Sequence, residues 1–194
     1  PAVAARVARH RALQAHGFEP YGGLYDEQPA PRVPGASGKV VQLDDEHEMI
    51  SWGYANTTPW HTYREQDEQQ LAAAYAGLAD QLERPERAVF NLHPPPYATQ
   101  LDDAPALDDD LRVQAVLGQV QYQAVGSTAV RDIEAERQPL VGLHGHIHES
   151  SGIRRLGKRR GVILNPGSDY STGALNGALV SLHKDRADAQ LVRG

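Results

Sequence analysis

The sequence predicts an α/β protein with an antiparallel portion. Short apolar runs with strand character recur from residue 39 to residue 192, and segments with helical periodicity interrupt them. The order is strand, helix, strand, helix and then a series of strands, which suits a sheet covered by helices with an antiparallel extension. At 194 residues the chain can bury one substantial core, so a single domain over residues 1–194 is expected.

Residues 2–16 read as a helix, Ala-rich with Val3 and Val7 four apart, and Gly17 is its stop. Residues 20–37 are rich in Pro and Gly and read as loop. Residues 39–43 and 49–52 read as short strands, and residues 53–61 as another loop. Thr62 and Glu65 match a capping box, opening a helix with Leu71, Tyr75, Leu78 and Leu82 along one face and Pro85 as its stop. Strand-like runs follow at 88–92, 140–143, 162–164, 175–182 and 189–192. Between the first two, a helix is expected from near Ser127, burying Val130 and Ile133.

Composition removes several function classes. There is no Cys, so disulfides, thiolate metal sites and Cys nucleophiles are excluded. No apolar run is long enough to cross a bilayer, which leaves cytoplasmic placement as the default and membranes off the list of expected partners. The formal charge of −6 gives no overall footprint for nucleic acid. Arg154, Arg155, Lys158, Arg159 and Arg160 form a local basic group, read as a solvated hairpin tip with phosphate contact as the alternative. Asp102, Asp103, Asp108, Asp109 and Asp110 read as a solvated acidic loop. A homo-oligomer is compatible with this composition.

Three of the nine histidines stand where a strand gives way to a loop. His93 ends Val89-Phe90-Asn91-Leu92-His93 and is followed by Pro94, Pro95 and Pro96, while His146 and His148 lie in Leu143-His144-Gly145-His146-Ile147-His148. Loops at strand ends are where open α/β sheets bind ligands. Pro94 biases the His93 backbone to an extended shape, and Gly145 permits a sharp turn before the pair. In an extended segment His146 and His148 would project to one face with their roots about 7 Å apart, an offset suited to two neighbouring ions. Imidazole serves Zn, Mn, Fe, Ni and Cu alike. A lone histidine at a strand end is more often a hydrogen-bonded structural residue; it is the two segments together that point to a metal.

These segments resemble the calcineurin-like metallophosphoesterases. His93 is similar to that family's isolated histidine motif, and Gly145-His146-Ile147-His148 to its G-H-x-H motif. A prokaryotic branch of predicted phosphoesterases also has text similar to Thr58-Pro59-Trp60 with Arg64-Glu65, to Gly126-Ser127, to Glu149-Ser150 and to Asn165-Pro166-Gly167-Ser168. The resemblance implies a four-layer α/β/β/α sandwich and hydrolysis of small phosphate mono- or diesters at a dinuclear site. It implies two divalent ions, Mn first with Zn, Fe or Ni as alternatives, with His93 and His146 on one ion and His148 on the other. The alternative class is a catalytically inactive scaffold of the same fold.

The family's other ligands come from upstream D-x-H, G-D-x-x-D and G-N motifs, and the chain has no Gly-Asp or Gly-Asn pair. Pro1-Ala2-Val3 resembles the text directly after the third motif, so this chain is expected to be a C-terminal portion and catalytically incomplete by itself. The single D-x-H, Asp45-Glu46-His47, reads as a polar hairpin turn, since nothing like the second motif follows it. His144 reads as a strand residue or a support for the ligands. Ser127 reads as a helix cap, with phosphate binding as the alternative. Trp60 and Trp52 read as packing residues or as walls of a substrate pocket. By the resemblance, Asn165 supports the site. His10, His16, His61 and His183 have no partners in sequence and read as surface residues.

Overall fold

The computed structural model describes residues 36–194. The helix expected over residues 2–16, most of the loop over residues 20–37, and His10 and His16 lie outside the described residues. Gly38–Gly194 form one compact unit of mixed α/β structure. Among the described residues, no helix is long and apolar enough to cross a membrane.

The first strands are β1 (Val40–Gln42), β2 (Glu48–Trp52), β3 (Ala55–Asn56), β4 (Glu65–Gln66) and β5 (Val89–Leu92). A central insertion holds β6 (Asp103–Pro105), β7 (Ala115–Val116), β8 (Gln119–Val120) and β9 (Tyr122–Ala124). The chain closes with β10 (Val141–Leu143), β11 (Gly152–Leu156), β12 (Gly161–Asn165), β13 (Asn176–His183) and β14 (Arg186–Arg193). Six of these form one sheet in the order β1-β2-β5-β10-β12-β11. Strands β2, β5, β10 and β12 run parallel, with β1 and β11 antiparallel at the edges.

Alternation along the strands sorts the core into two faces. Ile50, Phe90 and Leu92 point to the helices, where they meet Leu71, Tyr75, Leu78, Val130 and Ile133. Val89, Val141, Val162 and Leu164 point the other way, onto Ala178, Val180, Leu182 and Ala187 of the β13–β14 hairpin. Each large apolar side chain fully buried here contributes about 1.5–3 kcal/mol. Helices, sheet and hairpin therefore stack as three layers.

The helix Thr128–Arg137 matches expectation: Ser127 caps it, accepting from the Val130 amide at 3.2 Å, and Val130 and Ile133 are buried. The helix expected from Thr62 differs at its start. It spans Glu68–Ala79 and is capped by Asp67 with Gln70, a reciprocal capping box downstream of the predicted one. Glu65 lies in β4 instead, where Thr58 and Thr62 claim its carboxylate. The loop predicted over residues 53–61 contains β3, which pairs in parallel with β4.

Two charge groups come out differently. Arg154, Arg155, Lys158, Arg159 and Arg160 lie exposed along the β11–β12 hairpin, as the charge pattern predicts. The acidic group is not one solvated loop: Asp108, Asp109 and Asp110 are exposed, but Asp102 is wholly buried and Asp103 begins β6. Asp102 accepts the backbone N–H groups of Ala98, Thr99 and Gly126 at 2.8, 3.0 and 3.0 Å, which makes its burial tolerable.

Asp45-Glu46-His47 does form the turn between β1 and β2. His47 is buried, with Nδ1 on Asp44 at 2.8 Å and Nε2 on the His183 carbonyl at 3.1 Å, while Glu46 pairs with Arg84 and Arg87. The D-x-H is thus occupied structurally, and His183 gains a partner in Asp188 at 3.0 Å.

Candidate active site at the carboxyl edge of the sheet

Strands β2, β5 and β10 are adjacent and parallel, so the segments beyond their carboxyl ends leave the sheet at one edge. His93 comes directly after β5, and residues 144–148 directly after β10. Main-chain bonds tie these exits together: the His93 N–H donates to the Trp52 carbonyl at 3.1 Å, and the Gly145 N–H to the His93 carbonyl at 3.0 Å. The result is a close pair of rings. The His93 and His146 imidazoles lie 4.9 Å apart between centres and are tilted by 59°.

The backbone of residues 144–148 departs from the extended reading. His146 itself has φ 64°, and the Ile147 N–H donates to the Gly145 carbonyl at 2.7 Å, a γ-turn centred on His146. The left-handed conformation falls on the histidine and not on the glycine before it. Simple alternation therefore does not relate His146 to His148. A non-glycine residue held in this region costs about 1–3 kcal/mol and persists only where its surroundings impose it. Asn165 supplies part of that constraint. It is wholly buried, donates to the Ile147 and Leu101 carbonyls at 2.9 and 3.0 Å, and accepts from the Gly167 N–H at 2.9 Å. The His148 carbonyl accepts from the Ser168 N–H at 3.1 Å, and its ring is exposed.

Burial lowers the proton affinity of both rings. The His93 imidazole is pushed down to about 4, first because packing desolvates its charged form, then through His146, Arg64, His148 and His144. Solvent still reaches the residue, which sits on an open rim. His146 is also lowered, by desolvation and then His148, with Glu65 and Glu149 pulling the other way. Glu65 is opposed by desolvation, yet the four hydrogen bonds from Thr58 and Thr62 outweigh it and hold the carboxyl down to about 2.

A pH dependence results. Because His93 binds its proton less readily folded than unfolded, stability should rise with pH from about 4 to about 6.5 and be flat in this respect above. Histidine-ring NMR should place the His93 midpoint near 4; a midpoint near 6.5 would contradict the packing described.

Beneath the pair lies a second, buried one. His144 Nδ1 meets the Leu92 carbonyl at 2.9 Å, and its Nε2 faces Glu134 Oε1 at 3.3 Å, both side chains fully buried. Gly142 makes room for this contact: a Cβ there would overlap Glu134 Oε1 and lie 2.8 Å from His144 Nε2. Glu134 also lines a cavity of about 10 Å³, with Pro139, Leu156, Gly161, Val162 and Ile163, in which no histidine takes part. Periodicity gives no hint of Glu134, since a glutamate on a helix reads as solvated.

The other expected residues divide. Ser127 is committed to its cap and to Glu68 Oε2 at 2.8 Å, so the capping reading describes it. Trp52 packs on Tyr54 with ring centres 5.6 Å apart and donates to Gln66. Trp60, by contrast, is 63% exposed. His61 is exposed as expected.

Two imidazoles sharing one ion through metal–nitrogen bonds of about 2.0–2.1 Å carry their ring centres about 4.5–5.3 Å apart. The 4.9 Å between His93 and His146 fits that requirement. Among the described residues, however, no group of three or more His, Asp or Glu side chains is arranged to hold a metal ion. The two rings are therefore close enough to share a ligand, and no third such side chain joins them among the described residues.

Among solved structures, the crystal structure of TT1561 of Thermus thermophilus is similar to this chain. It shares 14% identity and a TM-score of 0.49 over 80% of this chain and 58% of that one. The chain thus spans less than two thirds of that neighbour's length, and a likeness this slight transfers no function. No family model matches the chain, and no curated protein matches it.

Proposed function

We propose that the protein is a metal-dependent phosphoesterase of the calcineurin-like superfamily, hydrolysing small phosphate mono- or diesters. The observation that carries this reading is the His93–His146 ring pair, 4.9 Å between centres, at the carboxyl edge of four parallel strands. Its chemistry agrees, because a ligand imidazole must be neutral and His93 is held neutral throughout the physiological range. The G-H-x-H text around His146, and the stacking of helices, sheet and hairpin, fit one half of the family's α/β/β/α sandwich.

In this reading His93 and His146 hold one divalent ion and His148 contributes to a second. Such ions supply Lewis-acid stabilisation of the charge that develops on the phosphoryl oxygens. The chain's own residues do the positioning. The γ-turn at His146, Asn165 and the Leu92 carbonyl–His144 contact fix the rings before metal arrives. Among the described residues, Glu65 and Glu149 act on the His146 charge, and no carboxylate joins His93 and His146 in a group arranged to hold an ion.

The test is hydrolysis of bis(4-nitrophenyl) phosphate with Mn²⁺, using the longest form of the protein that its gene encodes. Metal-dependent turnover that falls at least about 100-fold in His146→Ala is expected. Turnover unchanged in His146→Ala would overturn the assignment of that residue. Absence of turnover with Mn²⁺, Zn²⁺, Fe²⁺ and Ni²⁺ alike would favour the inactive scaffold.

A further inference from the structure

The loop between β3 and β4 stands at the same edge as the histidines. It follows β2, whose last residue Trp52 holds the His93 N–H through its carbonyl, and it is closed by the separate two-stranded pairing of β3 with β4. At its base Ala55 pairs with Glu65 and Asn56 with Gln66, and the Ala55 N–H donates to the Arg64 carbonyl at 3.0 Å. Inside it, the Glu65 carboxylate takes the Thr58 N–H and hydroxyl at 2.9 and 2.6 Å and the Thr62 N–H and hydroxyl at 3.0 and 2.9 Å. The Trp60 N–H in turn donates to the Thr58 hydroxyl at 3.3 Å. A loop of this length needs no such staple merely to connect two strands.

The stapled backbone carries a chemically distinctive group of exposed side chains. Trp60 is 63% exposed and Tyr63 91% exposed, two aromatic rings on one short, fastened loop. Arg64 between Tyr63 and Glu65 is also exposed, and its guanidinium makes no hydrogen bond or ion pair among the described residues. An arginine is always charged and presents a planar fork matched to phosphate oxygens. Exposed aromatic faces stack flat rings with little demand on their identity. A cation and two exposed aromatic rings carried on one short loop favour a ligand that has both an anion and a ring.

We propose that residues 57–65 form a recognition loop for phosphate esters whose alcohol carries a flat aromatic or heteroaromatic ring. Arg64 binds the phosphate oxygens, and Trp60, with Tyr63 beside it, stacks the ring. The inference deepens the phosphoesterase reading and rests on it for the fate of the ester, but the binding it describes needs no turnover.

Tryptophan emission of the full chain, titrated with phenyl phosphate, adenosine 5′-monophosphate and methyl phosphate, tests it. Phenyl phosphate should bind at least about 10-fold tighter than methyl phosphate and change the Trp60 emission, identified by its loss in Trp60→Phe. A further preference for the nucleotide would mark heteroaromatic rings as the favoured source, and equal affinity would mark any flat ring. By isothermal titration calorimetry, which needs no tryptophan reporter, Trp60→Ala should abolish the preference for phenyl over methyl phosphate. Arg64→Ala should weaken all three ligands about 10-fold. Both side chains are exposed, so circular dichroism should show the fold intact in each variant. Equal binding of phenyl and methyl phosphate, no saturable binding of phenyl phosphate, or a preference that survives Trp60→Ala would overturn the proposal. Since the readout is binding, a protein that binds with this preference but never hydrolyses would sink the phosphoesterase reading alone.

Discussion

Asp102→Ala should cost about 3–4 kcal/mol of stability, more than a typical core truncation at this size. The side chain is wholly buried and accepts three backbone N–H groups, from Ala98, Thr99 and Gly126. Alanine would strand all three donors where water has little access. The site is tight as well: a Cβ at Gly126 would lie 2.5 Å from the Pro95 carbonyl and 2.8 Å from Asp102 Cβ, so the gap left by alanine cannot simply collapse. The turn after His93 and the approach to Ser127 would loosen together, since the Ser127 N–H donates to that same Pro95 carbonyl at 2.9 Å. Urea unfolding of the two proteins measures the difference. A loss under about 1 kcal/mol would mean that the buried carboxylate is not the knot of these turns.

Gly142→Ala should destabilise by about 2–3 kcal/mol, although alanine suits a strand at least as well as glycine. The cause is the Glu134 carboxylate, which occupies the space where the new methyl group would sit. The effect should depend on that partner. In a Glu134→Ala background the same substitution should cost less, because the nearest obstruction has gone and only His144 Nε2, 2.8 Å from the new methyl group, remains. Additive costs in the double variant would show that the glycine is needed for another reason. The cycle also probes the histidine site, since His144 bridges Glu134 to the carbonyl of the residue before His93.

The strands of the main sheet other than β11, and the β13–β14 hairpin, were legible because their cause is local, whereas the short β3, β4 and β6 to β9 carry too few residues to show an alternation. Alternating apolar side chains must bury one face, and the register Val141↔Val89 and Val141↔Val162 comes from matching buried runs. The histidine segments were legible for the same reason: a strand that ends at His93 and another that ends before His144 must release the next residues from the sheet. The helix start was misread because Thr62-x-x-Glu65 and Asp67-x-x-Gln70 both satisfy a capping pattern, and only the second had its donors free. Strand β11 was masked by its arginines, which an edge strand tolerates on its exposed side. Asp102 and Glu134 were illegible in principle. Each is a charged residue whose burial is justified only by groups distant in sequence, namely three amides for one and the Gly142 gap with His144 for the other.

The central claim is that His93 and His146 form one edge of a metal site. Histidine-ring NMR during addition of Mn²⁺ at neutral pH tests it most directly, because a paramagnetic ion broadens the rings it touches. The account predicts that His93 and His146 broaden first and together, at amounts of Mn²⁺ well below one equivalent, while the exposed ring of His183 stays sharp. Broadening spread evenly over all the histidines, or confined to His183, would contradict it.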